Sequence, residues 1–322
     1  MAALSALRRF NENARSLAGV FILIALCGCS SLLPQSASLR EALPAELHRK
    51  VELADVPFFP QREYQCGPAA LATVLAAEGV KVTPDTLVPE VYLPERKGSL
   101  QIEMLAAARR HGLVSYQLAP RFSDLLSEIA AGNPVIVLQN LGLKEGWHYA
   151  VAVGYDYDWG KLYLRSGESR RQVMPFAIHE LVWMRSGYWA MVALPPDRIP
   201  TTADESRWLS AVAALERPDP PAARTAYQTF LKRWPDNVNA AIGLANTHHA
   251  LGELREAETV LRRAAEVDPS SVIVLNNLAQ TLADQGKDAE ALRFIERAAA
   301  LGGPFAGAVE DTRKAIRARL RK

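Results

Sequence analysis

Residues 56–75 read VPFFPQREYQCGPAALATVL and place one thiol, Cys66, where an extended, proline-bearing segment meets a helix. The N-terminus of a helix carries free N–H groups and positive potential, which favour thiolate over thiol. We therefore expect the pKa of Cys66 to be lowered. Gly67 lets a substrate backbone approach closely, and Pro68 suits the first helical turn because its missing N–H costs nothing there. This pattern predicts a nucleophilic cysteine.

Gln61 precedes the thiol by five residues. Its side-chain amide and the backbone N–H of Cys66 could point at the same place and form an oxyanion hole for a tetrahedral intermediate. The alternative is an exposed loop glutamine with no role in catalysis.

A base for the thiol is predicted far along the chain, because the partners of a nucleophile meet only in the fold. His148 opens the strand-like run Tyr149–Tyr155 directly after a loop. A base fixed at a strand entrance can be aimed rigidly at a helix terminus, and Trp147 could shield the pair from water. The alternative is a structural histidine at a sheet edge. The other histidines lie before the folded region, in helices (His179 in a polar helical stretch) or in the C-terminal half: His48, His111, His179, His248 and His249.

Together these motifs resemble the double-glycine leader peptidases that process bacteriocins, and more closely their stand-alone relatives. The likeness runs from about Val51 to Pro195. It implies a papain-like cysteine peptidase fold in which a Cys and a His form the dyad and an upstream Gln completes the oxyanion hole. These three roles carry over to Cys66, His148 and Gln61.

The fourth family role, an Asp that orients the histidine, has no direct counterpart. Where the family shows Asp-Pro after the second strand of a hairpin, this chain has Arg165-Ser166-Gly167. Ser166 could accept the imidazole N–H, although a hydroxyl stabilises imidazolium less than a carboxylate does. The possible substitutes, none of them at the expected place, are Asp156, Asp158 and Glu168.

The body of the chain divides at a proline-rich segment. Residues 51–195 mix helical and strand-like patterns and predict an α+β domain, residues 196–203 a linker, and residues 204–322 an all-helical array. The helical patterns are Ala69–Glu78, Leu100–His111 and Phe122–Ala131, and the strand-like runs are Val135–Gln139, Ala150–Tyr155, Lys161–Leu164 and Trp189–Leu194.

The helical half repeats itself. Gly252 and Gly286 lie 34 residues apart, as do several alanines and prolines, and this period resembles the tetratricopeptide (TPR) family. Helix pairs that stack need small residues where neighbours approach closely. The prediction comprises clear repeats at 238–271 and 272–305, a degenerate repeat at 204–237 and a capping helix at Glu310–Leu320.

The N-terminus predicts export. Three arginines precede the apolar run Leu17–Leu26, which is too short to span a bilayer comfortably, so residues 1–28 have the layout of a signal peptide. The sequence LCGC that ends at Cys29 resembles the lipobox of bacterial lipoproteins, which implies that Cys29 is acylated. The alternative is an uncleaved membrane anchor.

Residues 29–50 are therefore predicted to form a lipidated N-terminus and tether. Ser30 stands where an Asp would indicate retention at the inner membrane, so the resemblance implies the outer membrane, facing the periplasm. The polar stretch Ser30–Ser38 would lift the body off the membrane, with folded sequence beginning near Val51. With Cys29 acylated and the signal peptide removed, Cys66 is the thiol that remains.

The sequence predicts a membrane-anchored periplasmic cysteine peptidase that hydrolyses a peptide or isopeptide bond through a Cys66 thioester, while the TPR groove docks a protein partner or substrate. One alternative is a binding scaffold with weak or lost catalysis, and another is an amide-transfer or cell-wall amidase reaction. No cofactor or metal is predicted, because nucleotide-loop, paired-cysteine and His-Glu-x-x-His motifs are missing from the sequence. The net charge of +2 gives no indication of a nucleic-acid partner.

Overall fold

The computed structural model describes residues 33–41, 47–61, 65–143 and 146–321. The predicted signal peptide and the predicted lipidation site, Cys29, lie outside the described residues. Within the described part of the chain, no helix combines the length and apolar character needed to cross a bilayer.

A seven-stranded antiparallel sheet organises the N-terminal half. Its strand order is β2-β7-β3-β4-β5-β6, and β1 pairs with the end of β4. The strands are β1 (Lys50–Glu52), β2 (Val114–Gln117), β3 (Val135–Asn140), β4 (Trp147–Asp156), β5 (Lys161–Ser166), β6 (Ser169–Pro175) and β7 (Ala190–Leu194). The helices among them are α1 (Pro34–Glu41), α2 (Cys66–Ala77), α3 (Pro84–Val91), α4 (Gln101–Arg110), α5 (Phe122–Ala130) and α6 (Phe176–Trp183).

Helices cover both faces of the sheet, and β4 shows how the core is divided. Successive side chains of a strand point to opposite faces. Tyr149 and Val151 pack with α2 and α4, whereas Ala150 and Ala152 pack with α5 and α6. The sheet is therefore buried on both sides, and α2, which lies against it, is apolar around its whole circumference.

The C-terminal half is entirely helical in the residues that the structure describes. The helices form antiparallel pairs, and Gly252 and Gly286 take positive φ at the turns inside two of them. Asn237 and Ser271 cap the first helix of each of these pairs through their side-chain oxygens. The helices are α7 (Glu205–Ala213), α8 (Pro220–Arg233), α9 (Val238–Ala250), α10 (Leu254–Val267), α11 (Val272–Asp284), α12 (Asp288–Leu301) and α13 (Ala306–Arg319).

The predicted α+β domain followed by an all-α array is confirmed. The helix pair α9–α10 lies within the predicted repeat 238–271 and α11–α12 within 272–305, and α7 and α8 occupy the degenerate stretch 204–237. The last helix, predicted at Glu310–Leu320, begins at Ala306.

The segment between the two halves is bonded to the sheet domain. Glu128 accepts hydrogen bonds from the backbone N–H and the hydroxyl of Thr202, both at 2.7 Å. Beyond it, Trp208 of α7 is fully buried and meets Tyr116 of β2 edge to face, with ring centroids 5.7 Å apart. The predicted linker at 196–203 therefore joins two halves that share one hydrophobic core.

The prediction that folded sequence begins near Val51 was wrong. Part of the predicted tether, Pro34–Glu41, is the helix α1, and Leu39 within it is buried against the sheet domain. Its first turn is bonded to the buried carboxylate of Glu180, and such a long-range contact leaves no trace in the local sequence.

Candidate active site

Cys66 is the first residue of α2, as the opening motif predicted. Its neighbour Gly67 lies against the loop before α4, where a Cβ atom on residue 67 would collide with the side chain of Ser99. The glycine thus allows the loop at 98–99 to approach the thiol, and this loop lines the cavity beside Cys66.

The expected lowering of the Cys66 pKa was wrong. Burial raises the pKa of the thiol, because the charged form loses more solvation than the neutral form. The backbone N–H groups of Tyr149, Gly67 and Cys66 itself act in the opposite direction, but desolvation outweighs them.

The contact with Tyr149 places Cys66 beside the start of β4. The sulfur interacts with the N–H of the peptide that joins His148 to Tyr149. The Tyr149 hydroxyl donates to the carbonyl of Ser99, 3.2 Å away, and so connects β4 to the loop that lines the same cavity. Tyr149 belongs to the motif around His148, but its contact with the thiol is not predictable from the sequence pattern.

His148 is held by Ser166. The imidazole Nε2 lies 2.9 Å from the Ser166 hydroxyl oxygen, across the β4–β5 pair. Ser166 is buried at the end of β5. A bond at Nε2 directs proton exchange with a thiol to the other ring nitrogen, Nδ1.

The other candidates for orienting the histidine divide into two groups. Asp156 is eight residues further along β4, roughly 26 Å for an extended strand, and pairs with Lys50 at 3.0 Å. Asp158 pairs with Arg49. Glu168 lines the same cavity as His148 and Ser166. Neither aspartate therefore belongs to the site.

Gln61 lies between the two halves of the site. Its backbone N–H donates to the carbonyl of Gly167 at 3.1 Å, and its side-chain amide donates to the carbonyl of Tyr149 at 3.3 Å. Because Gly167 follows Ser166 and Tyr149 follows His148, these two bonds place Gln61 beside the end of β5 and the start of β4, which carry Ser166 and His148.

Arg165 is a site residue that sequence reasoning missed. Its buried guanidinium donates to the carbonyls of Ala54 and Val56, both at 3.2 Å. These bonds fasten the segment that leads to Gln61 onto β5, next to Ser166. The sequence does contain a signal for this role, because Arg165 directly precedes Ser166, the position expected to orient the histidine.

Two cavities lie at the start of β4. The first, about 640 Å³, is lined by Cys66, the 96–101 loop and Trp147. The second, about 600 Å³, is lined by His148, Ser166 and Glu168. A peptide laid across this strand end would meet the thiol on one side and the imidazole on the other.

Three of the other histidines outside the site pair with carboxylates: His111 with Glu90, His248 with Glu253 and His249 with Asp284. His179, predicted in a polar stretch, is instead fully buried and stacked on Trp183. Burial lowers its pKa to about 3. Among the described residues, no group of three or more His, Cys, Asp or Glu side chains is arranged to hold a metal ion.

Comparison with known proteins finds family models that match each half of the chain. Residues 53–191 match the model of the Peptidase_C39 like family, and residues 214–273 and 250–304 match two models of the tetratricopeptide repeat. No curated protein matches the chain.

Solved structures resemble each half separately. A C39-like peptidase from Bacillus anthracis has 19% identity and a TM-score of 0.39, covering 45% of this chain and 97% of its own. A double glycine motif protease from an AMS/PCAT transporter, in complex with the leader peptide, has 21% identity and a TM-score of 0.34, covering 44% of this chain and 91% of its own. The TPR2B domain of yeast Sti1, in complex with an Hsp70 peptide, has 22% identity and a TM-score of 0.33, covering 35% of this chain and 99% of its own.

Proposed function

We propose that this chain, in which a Peptidase_C39-like domain at residues 53–191 is followed by tetratricopeptide repeats, is a cysteine peptidase that cleaves peptide bonds through a thioester on Cys66. The observation that carries the proposal is the 2.9 Å contact between His148 Nε2 and Ser166 Oγ, made one residue from the Tyr149 N–H that contacts the thiol. It supports a base that is oriented by Ser166 close to the nucleophile, as acyl transfer requires.

In the first step, Nδ1 of His148 takes the proton from the Cys66 thiol as the sulfur attacks the scissile carbonyl. The oxyanion of the tetrahedral intermediate accepts hydrogen bonds from the Cys66 backbone N–H and the Gln61 amide. Collapse breaks the C–N bond, and the departing amine takes the proton from His148. Water then attacks the thioester, His148 removes its proton, and the acid and the thiol are released.

The buried thiol determines how this step is driven. Because burial raises the pKa of Cys66, proton transfer to His148 accompanies the attack and does not precede it. Ser166 stabilises the resulting imidazolium less than a carboxylate would, which predicts a slow enzyme.

The remaining parts of the proposal concern location and partners. The TPR array docks a protein partner or the substrate, as stacked helical repeats commonly do. The lipobox-like sequence supports acylation of Cys29 and anchoring at the outer membrane, facing the periplasm.

Mass spectrometry of periplasmic peptides from cells with and without a Cys66→Ala allele tests the proposal. We expect specific peptides to disappear in the variant while the protein persists at its usual level. Cells that express a His148→Ala allele should show the same loss. Identical peptide profiles in all three strains would argue against peptidase activity.

A second function, a peptidase-like binding scaffold, is favoured by the raised pKa of Cys66 and the serine at the orienting position. The two functions differ in how the thiol depends on His148. In an enzyme, a peptide-based acylating probe reacts with Cys66 far faster than a small alkylating agent does, and His148→Ala removes this advantage. In a scaffold, both reagents react slowly and His148→Ala changes neither rate.

A further inference from the structure

The buried carboxylate of Glu180 holds the N-terminal helix in place. Glu180 lies in α6 with its side chain fully buried. It accepts the backbone N–H of Gln35 at 3.0 Å, the backbone N–H of Ser36 at 2.6 Å and the hydroxyl of Ser36. Charge-assisted bonds of this kind are the stronger ones in proteins, and they neutralise the free N–H groups of the first turn of α1.

Further contacts fix α1 along its length. The Gln35 side chain donates to the carbonyl of Pro120 at 3.1 Å and accepts the N–H of Phe122 at 2.5 Å. The hydroxyl of Tyr157 donates to the carbonyl of Leu39, whose side chain is buried. Helix α1 is thus a fixed part of the sheet domain, and Pro34 marks where the chain leaves it.

The outward face of α6, next to the start of α1, is apolar. Ile178, Leu181 and Met184 are spaced three residues apart and are 49%, 38% and 37% exposed. We call these three residues the α6 stripe; Met184 directly follows the last residue of α6 and begins a short 3-10 turn. Residues at this spacing share one face of a helix, so the stripe is continuous. An exposed arginine, Arg185, directly follows Met184.

The stripe leads toward the candidate active site. Arg185 donates to the carbonyl of Asn140 at 3.0 Å, and Asn140 is the β-sheet partner of Trp147. Trp147 and Leu143 are exposed large apolar residues that line the cavity beside Cys66. Arg185 therefore connects the end of the stripe to the strand pair that carries Trp147 at the rim of the cleft.

We infer that the α6 stripe lies on the surface of the bilayer in which the acylated chain is anchored. The inference rests on the proposed acylation of Cys29. Five Cα–Cα steps separate Cys29 from Pro34, a reach of about 18 Å at full extension. The start of α1 stays within that distance of the membrane interface, and because α1 is bonded to the sheet domain, it holds the neighbouring stripe near the same surface.

A bilayer fits this surface better than a second protein does. Three side chains are far fewer than the 20–30 residues a side of a typical stable protein interface. A lipid-anchored protein needs only a weak additional contact to select one orientation, because the anchor already supplies the affinity. The exposed Arg185 at the end of an apolar stripe also matches anionic headgroups over apolar chains.

This orientation sets the class of substrate. With the stripe on the bilayer, the cleft rim at Leu143 and Trp147 lies close to the headgroups. The enzyme would then act on exported chains near the membrane surface, such as membrane-anchored polypeptides.

Spin labelling of the acylated full chain tests the orientation. In a Cys66→Ser background, a nitroxide is attached to Leu181→Cys, with Ile178→Cys as the substitute position if that variant does not fold. The control is Leu301→Cys, which has similar exposure at 49% but lies at the end of α12. The protein is reconstituted in vesicles of phosphatidylethanolamine and phosphatidylglycerol, and collisions with oxygen and with a water-soluble nickel chelate are measured.

We expect vesicle binding to raise the ratio of oxygen to nickel collisions several-fold at residue 181 and to leave it unchanged at residue 301. An unchanged ratio at both positions in acylated protein would overturn the proposed orientation. Loss of both kinds of collision at residue 181 would indicate a covering protein, and would also overturn it. The mass of the N-terminal peptide is read separately, so that missing acylation, which would remove the anchor itself, is distinguished from a wrong orientation.

Discussion

The imidazole of His148 and the hydroxyl of Ser166 are joined by a 2.9 Å contact at Nε2, across the β4–β5 pair. Ser166 stands where the resemblance in the sequence led us to expect an aspartate. The contact explains how the histidine is oriented, and it limits how strongly the imidazolium can be stabilised. The first prediction concerns this pair.

Replacing Ser166 tests its role as the orienting group. Ser166→Ala removes one hydrogen bond worth about 1 kcal/mol, so we expect kcat/KM to fall about fivefold. Ser166→Asp places a negative charge beside the imidazolium that forms on His148 during turnover, so it should raise kcat. The gain should be largest at pH values at which His148 is protonated during turnover. Steady-state kinetics over a range of pH on one fluorogenic peptide measures both. A Ser166→Asp enzyme no faster than Ser166→Ala would contradict the assignment.

Gln61 is predicted to stabilise the oxyanion. Gln61→Ala should lower kcat by about 10²–10³-fold with little change in KM, because the lost bond forms only in the transition state. Gln61→Glu keeps the size of the side chain and removes the donor, so it should be similarly impaired. Circular dichroism of both variants checks that the side-chain bond to the Tyr149 carbonyl is not needed for folding. An equal loss of binding and turnover would assign Gln61 to substrate positioning alone.

The buried His179 should make the protein sensitive to acid. Its folded-state pKa is lowered from 6.5 to about 3, so below pH 6.5 the unfolded chain binds a proton that the folded chain does not. The unfolding free energy should therefore fall as the pH drops from 6.5 toward 3, by up to about 1.4 kcal/mol per pH unit. Urea unfolding at several pH values measures it. His179→Leu should be less stable at neutral pH and should show a shallower dependence on pH; an unchanged slope would remove His179 as the cause.

The attachment of α1 to Glu180 should contribute measurably to stability. Glu180→Ala leaves the first turn of α1 without its charged acceptor, and we expect the unfolding free energy to fall by roughly 2–4 kcal/mol. The matched control is Glu41→Ala, an exposed carboxylate at the other end of the same helix, which should change stability by less than about 0.5 kcal/mol. Denaturant titration compares the two. Equal effects would mean that α1 is not held by the buried carboxylate.

Local sequence patterns were sufficient to predict the features for which a reactive residue and the start of a helix or strand lie in the same short stretch. The positions of Cys66 at a helix start and His148 at a strand start follow from turn formers and periodicity on either side of each residue. The repeat period likewise located the paired helices of the C-terminal half, because small residues recur wherever helices approach.

Features that depend on distant contacts could not be predicted in this way. Helix α1 reads as a polar tether because its stabilising partner, Glu180, lies 144 residues away from Ser36. His179 lies in a stretch that looks polar in the sequence. Its burial depends on packing against Trp183 and Phe122, which the sequence pattern does not reveal. The pKa of Cys66 was predicted in the wrong direction because the helix terminus is visible in the sequence while the depth of burial is not.

The most direct measurement of the central claim is intact-mass detection of a covalent adduct between the protein and a peptide-based thiol-reactive substrate analogue. We predict a single adduct on Cys66 in the wild type, none in Cys66→Ala, and an adduct that forms at least tenfold more slowly in His148→Ala. Equal rates in the wild type and His148→Ala would contradict the claim, since the thiol would then react without help from the imidazole.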